Sequence, residues 1–162
     1  MNAILVVGPA WVGDMVMAQS LFKRLKEKHP DAAIDVVAPG WSLPLIQRMP
    51  EVRAGIEMPL GHGRFGFGIR RTLGRSLRIG HYTQSIVLPG SWKSALVPWF
   101  ANAARRTGYR GEMRYGLLND IRPLDEKLLQ TTVQRFVALA ADPTKGDSPL
   151  AGTVPTPSLR VD

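Results

Sequence analysis

The chain has no cysteine, which excludes disulfides, thiolate metal sites and cysteine nucleophiles together. It also lacks a long apolar run. Its first residues carry no positive side chain and the opening hydrophobic stretch stops at Gly8, so the start reads as neither a signal peptide nor a membrane span, and a cytoplasmic protein is expected. His29, His62 and His81 stand apart with no pair at metal-ligand spacing, and neither a metal site nor a cofactor is predicted. A Walker loop and a Gly-x-Ser-x-Gly elbow are both missing, which leaves P-loop and hydrolase readings without support. Acids are scarce: 13 against 21 bases, a formal net charge of +8. Fifteen of those bases are arginine, whose planar fork suits phosphate and carboxylate, so an anionic partner is expected. Nucleic acid is one candidate, although the charge falls in two clusters rather than in a basic tail or a known nucleic-acid module.

What is present starts with the stretch from Val6 to Val16. An apolar run from Ile4 to Val7 looks like a strand buried on both faces of a parallel sheet. Gly8, Pro9 and Gly13 mark a turn, and Met15, Ala18, Leu21, Phe22 and Leu25 share one face of a helix. In open α/β sheets the loops at the carboxyl ends of the strands form the binding crevice, which puts Asp14 at the mouth of a site.

The 162 residues are one domain by length, able to bury roughly 70% of the surface of the unfolded chain. The first helix runs to about Lys28, where His29-Pro30 stops it. A strand over Ala33–Ala38, a short helix over Ser42–Arg48 and a weaker strand over Gly55–Met58 follow. After the glycine-rich, basic segment from Gly61 to Gly68 comes a helix over Ile69–Arg78, with Ile69, Leu73 and Leu77 as its apolar stripe and Arg70, Arg71, Arg75 and Arg78 projecting away. Then come a strand over Ser85–Leu88, a helix over Trp92–Asn102 with Ser91 as N-cap, a short strand over Arg105–Tyr109, an arginine-containing loop to Asp120, and a helix over Lys127–Ala141. Strands alternating with helices predict a doubly wound α/β fold. Residues 1–141 form the domain, and 142–162, rich in proline and small polar residues, read as a linker toward a further domain.

Each candidate has a plain alternative. Asp14 either caps its helix or accepts a proton from a substrate hydroxyl, and these compete, because a carboxylate tied to backbone N–H groups is a poor base. Gly61, Gly63 and Gly66 have dinucleotide-fingerprint spacing, yet Pro59 interrupts the approach and no acid follows about twenty residues later. The arginine face is a solvated helix surface or a contact for phosphorylated lipid. Lys93 at a helix start is an anion contact or a solvated cation. Trp11 and Trp92 at strand-to-helix turns stack on a sugar or pack.

The stretches Gly8-Pro9-Ala10-Trp11-Val12-Gly13-Asp14-Met15, Met49-Pro50-Glu51-Val52, Met58-Pro59-Leu60-Gly61-His62-Gly63, Lys93-Ser94-Ala95-Leu96-Val97-Pro98 and Arg106-Thr107-Gly108-Tyr109-Arg110-Gly111-Glu112-Met113-Arg114-Tyr115-Gly116-Leu117-Leu118-Asn119-Asp120 resemble the bacterial lipopolysaccharide heptosyltransferases. The resemblance implies a Rossmann-like parallel sheet flanked by helices, the N-terminal, acceptor-side half of a GT-B glycosyltransferase, with most ADP-sugar contacts in a C-terminal domain. It implies transfer of L-glycero-D-manno-heptose from ADP-heptose to the first heptose of the inner core, with inversion and no required metal or cofactor. Asp14 matches the family's catalytic base. Trp11, Gly13, Arg64, Arg70, Arg71, Lys93, Arg106 and Arg110 are the candidate substrate contacts. The expected partners are ADP-heptose, a Kdo-heptose lipid A acceptor and the inner face of the inner membrane, with no specific nucleic acid. The alternatives are a non-catalytic module that binds an anionic glycolipid and a nucleic-acid-binding domain.

Overall fold

The computed structural model describes residues 2–59, 65–149 and 153–160. Six parallel strands, β1 (Ala3–Val7), β2 (Ala33–Pro39), β3 (Ala54–Met58), β4 (Gln84–Val87), β5 (Arg105–Tyr109) and β6 (Asp120–Arg122), lie in the order β3-β2-β1-β4-β5-β6. Every residue of β1 is buried, as its unbroken apolar sequence requires of a central strand covered on both sides. The order runs outward from β1 in one direction to β3, then returns to start again at β4. The switch point therefore lies between β1 and β4, and in such sheets ligands bind there.

Among the described residues, five α-helices cover the sheet: α1 (Val12–Lys28), α2 (Leu43–Ile46), α3 (Phe67–Ser76), α4 (Leu96–Phe100) and α5 (Thr132–Ala138). Met15, Ala18, Leu21, Phe22 and Leu25 of α1, all buried as the periodicity predicts, pack with Ile4, Val6, Ile34, Val36 and Ile86 and with Leu139 after α5. Burying a side chain such as Phe22 or Leu25 contributes about 1.5–3 kcal/mol. On the opposite face, Leu5 and Val37 meet Val97 and Ala101 around α4, with Leu73 and Leu77 behind them.

Several expectations need correction. The α3 stripe is rotated: Ile69 is 42% exposed, while Arg70 and Gly74 are buried. Gly74 decides this, since a Cβ there would stand 2.5 Å from the Phe100 Cβ and 2.8 Å from the Val97 carbonyl, so the helix turns its smallest residue toward α4. The helix predicted over Trp92–Asn102 is a 3₁₀ turn over Lys93–Ala95 followed by the five residues of α4. Ser91 does not cap it: the Ser91 carbonyl accepts from the Ser94 hydroxyl at 2.6 Å. Strand β6, which starts where the expected loop ends, has no counterpart in the sequence reading, because three residues are too few to show a period. The last helix begins at Thr132 rather than Lys127, because Thr131 and Gln134 close a capping box there.

Two polar networks hold the edges. On β2, Asp35 is buried. It accepts from Arg53 Nε at 3.0 Å and Nη2 at 2.6 Å, and from the Tyr82 hydroxyl at 2.6 Å. At the other edge Arg105 bridges Asp120 at 2.9 Å and Asp142 at 2.8 Å, while Arg122 joins Asp120 at 2.9 Å. Residues 153–160 return along α1. The Gln19 amide brackets the backbone of Ser158, donating to its carbonyl at 2.6 Å and accepting from its N–H at 2.8 Å.

Gly74→Ala should lower stability by about 1–3 kcal/mol through overpacking. Gly68→Ala, where a Cβ meets nothing within 4 Å, should raise it by about 0.5–1 kcal/mol; urea denaturation distinguishes them. Acid should act through the β5–β6 edge. The Arg105 guanidinium holds the Asp142 carboxyl well below the usual carboxylate range. At Asp120, burial opposes the charge, but hydrogen bonds from Arg122 and Thr107 and the neighbouring guanidinium charges outweigh it and leave the pKa lowered. A lowered folded-state pKa gives stability that is full above about pH 4 and lost as pH falls through the folded values. Thermal melts below pH 4 should therefore show a decline that is shallower in Asp142→Asn.

Candidate functional site

The loop that leaves β1 is pinned early. The Gly8 amide donates to the Val37 carbonyl at 2.8 Å, and a Cβ on Gly8 would lie 2.5 Å from Met15 Cε. The chain then turns through Pro9 and Ala10 into α1, whose N-cap Trp11 makes no side-chain cap. Across the switch point, the Leu88 amide donates to the Val7 carbonyl at 3.1 Å, and the segment after β4 bends the other way. Between these two loops opens a cavity of about 500 Å³.

Asp14, Trp11, Arg70 and Lys93 all line it. Asp14 is partly exposed in the first turn of α1, and its carboxylate makes no hydrogen bond or ion pair with the described residues. The capping alternative therefore lacks its bond. Trp11 is 63% exposed. Lys93 is partly buried, and its ammonium has no partner among the described residues. Arg70 is buried, a correction to its place on an outward cationic edge, and its Nε donates to the Phe65 carbonyl at 2.7 Å. Burial lowers its pKa, yet an arginine stays charged at neutral pH.

The other candidates lie elsewhere. Gly13 is exposed beside the mouth, with nothing within 4 Å of a Cβ. Arg71 and Arg110 are exposed and do not line the cavity. Arg64, Gly61 and Gly63 lie outside the described residues. Arg106 is spent on the backbone: it donates to the Leu117 carbonyl at 2.6 Å and the Ala103 carbonyl at 2.8 Å. Arg114, 2% exposed, donates to the carbonyls of Pro89 and Tyr109. The second arginine cluster is thus largely scaffold for its own loop, which accounts for much of the charge that pointed toward nucleic acid. Trp92 stacks on Phe65 rather than lining the cavity.

Sequence reasoning missed Thr132 and Arg135 of α5, which complete the wall. Arg135 is steered by Nε donating to the Leu129 carbonyl at 3.1 Å, while its own carbonyl accepts from the Tyr109 hydroxyl at 2.5 Å. Burial pushes that hydroxyl up to about 12, so it remains a donor at neutral pH. No local pattern marks Arg135, because α5 reaches the site by packing against α1 and by the Tyr109 bond, both far away in sequence. The wall therefore carries three cations and, among the described lining residues, one carboxylate. Such a surface attracts an anion while presenting a single proton acceptor to it.

The sequence pattern of glycosyltransferase family 9 (heptosyltransferase) matches residues 70–161. This chain belongs to glycosyltransferase family 9. Among the family's curated members, lipopolysaccharide heptosyltransferase 2 of Salmonella typhimurium is 57% identical over 156 residues, which are 96% of this chain and 44% of that protein. Lipooligosaccharide heptosyltransferase 2 of Haemophilus influenzae is 52% identical over 161 residues, 98% and 45% of the two chains. The chain thus spans less than half the length of these relatives. Among solved structures, Escherichia coli ADP-heptose LPS heptosyltransferase II superposes with a TM-score of 0.89 at 49% identity, over 100% of this chain and 47% of that one. E. coli heptosyltransferase WaaC with ADP gives 0.70 at 18% identity over 97% and 50%, a likeness of fold alone. These neighbours are GT-B enzymes, and the parallel sheet with helices on both faces is the expected Rossmann-like half.

Asp14→Asn should change stability by less than about 0.5 kcal/mol, as for a surface site without a bond. Arg106→Ala, which abandons two carbonyls, should cost about 1–3 kcal/mol. Paired thermal melts measure both.

Proposed function

We propose that this chain forms the acceptor-side half of a heptosyltransferase that moves heptose from ADP-heptose to the first heptose of the lipopolysaccharide inner core. The observation that carries the reading is Asp14, without a capping bond, lining a cationic cavity at the switch point. In the reaction an acceptor hydroxyl oxygen attacks the anomeric carbon, Asp14 takes its proton, and the bond to the ADP β-phosphate oxygen breaks on the opposite face. ADP leaves with the electron pair and the anomeric configuration inverts. Lys93, Arg70 and Arg135 supply positive charge for acceptor acid groups such as the Kdo carboxylates, and Trp11 offers a ring face for sugar stacking. A second, nucleotide-sugar domain, reached through the segment from residue 142, closes over the cavity, aligns the reactants and excludes water. The site works on the inner face of the inner membrane, where the lipid-anchored acceptor is presented.

The second reading is a binding module without turnover, favoured for the chain by itself because it spans less than half of its relatives. Calorimetric titration separates the two halves of the proposal: the chain should bind a soluble core acceptor and show little affinity for ADP-heptose. In the full-length protein, Asp14→Asn should cut transfer by about 10²–10⁴-fold with acceptor affinity retained. Unchanged turnover would remove Asp14 from the chemistry.

A further inference from the structure

Outside the cavity, the densest unassigned feature is an aromatic ridge across α3 and α4. Trp92 stacks on Phe65 with centroids 5.8 Å apart, and Phe65 on Phe67 at 6.1 Å. Phe67 meets Phe100 edge-on at 5.7 Å, and Phe100 meets Trp99 at 5.0 Å. Phe65, Phe67, Trp92 and Trp99 nevertheless stay between 37% and 48% exposed. Rings that gather but remain in water form an unfinished apolar surface.

Its charge says what would finish it. At about 100° per residue, Phe67, Arg71, Arg75 and Arg78 fall within one narrow sector of α3 and its 3₁₀ extension. That sector borders the Gly74 side that packs on α4, since Phe67 touches Phe100 and Arg78 Nε donates to the Phe100 carbonyl at 2.7 Å. Arg71, Arg75 and Arg78 are exposed, and none has an acidic partner among the described residues. The nearby Glu112 carboxylate accepts from the Trp92 amide at 2.7 Å. Like charges so placed repel until an anion offsets them.

We propose that this ridge is a docking surface for an anionic phospholipid bilayer, with the rings seated at the headgroup boundary and the arginines on lipid phosphates. Amphipathic rings favour that boundary, and the guanidinium fork matches phosphate. A second copy of the chain fits worse, because a two-fold contact sets the same patch against itself and would oppose arginine to arginine. The ridge begins at Trp92, next in sequence to Ser91 and Lys93 of the cavity wall. Docking therefore brings the mouth of the cavity beside the lipid surface. That consequence for a lipid-anchored acceptor rests on the function proposed above; the docking itself does not.

Co-sedimentation with phosphatidylcholine vesicles, with and without phosphatidylglycerol, tests the surface. The chain should bind only the anionic vesicles, and Arg75→Glu combined with Trp99→Ala should weaken partitioning at least fivefold, since each base near such a surface counts for about that factor. Lys145→Glu, an exposed lysine in the segment after α5, should change it less than twofold. Arg75→Glu alone carries the test if the tryptophan change unfolds the chain by circular dichroism. Equal binding to neutral vesicles, no binding at all, wild-type binding by the variants, or an equal loss in Lys145→Glu would overturn the proposal. So would self-association that the variants abolish, which would assign the ridge to a second copy. In the full-length protein acting on a deacylated, soluble acceptor, the double variant should turn over as wild type does, and a loss there would assign the ridge to the acceptor site instead. Absence of transfer by the wild type would defeat the proposed reaction and leave the docking result standing.

Discussion

The site depends on a constraint of parallel sheets: β1 and β4 are hydrogen-bonded neighbours, yet the chain must leave them toward opposite faces. From β1 it turns into α1, packed with α5 on one side, and from β4 it turns toward α4, packed with α3 on the other. No backbone can fill the gap that opens between two diverging loops. The gap becomes the cavity, and a residue in the first turn of α1 is committed to its rim. Asp14 stands there because of topology before chemistry is considered.

Arginine does three different jobs in this chain, and its environment selects which. Where backbone carbonyls would otherwise be stranded in loops, as at Leu117, Ala103 and Pro89, Arg106 and Arg114 satisfy them and are unavailable to a ligand. Where carboxylates sit at a sheet edge, Arg105 and Arg122 pair with them. In the cavity wall and along α3, Arg70, Arg135 and Arg78 each anchor a nitrogen on a backbone carbonyl, while Arg71 and Arg75 remain exposed. Net charge overstates the open positive surface for this reason. A count of bases is a property of composition, whereas an available base is a property of what the backbone leaves unsatisfied.

Much of the fold was legible because its strongest signals are local. The apolar run of β1, the α1 face from Met15 to Leu25 and the His29-Pro30 stop were each readable within a few residues, and the structure has them where the pattern put them. The misreadings have a common cause. The α3 stripe was assigned from side-chain type, but helix packing was decided by close approach at Gly74, which carried an arginine inward beside it. The start of α5 was set by a capping box four residues wide, stronger than the apolar period that ran ahead of it. In the candidate site, Asp14, Trp11 and Lys93 were visible because strand-to-helix turns announce themselves; Arg135 was not, because its approach is made across the fold.

By itself the sequence determined the alternation of strands and helices, the burial of β1, the turn that leads into Asp14 and the family to which the chain belongs, since each rests on contiguous residues. The tertiary structure alone decided which charges are spent and which are free, which face α3 turns to the sheet, and that α5 completes the cavity. Those outcomes depend on distances between segments far apart in the chain, and a side chain acquires its role from whichever carbonyl, carboxylate or ring the folded backbone brings within reach.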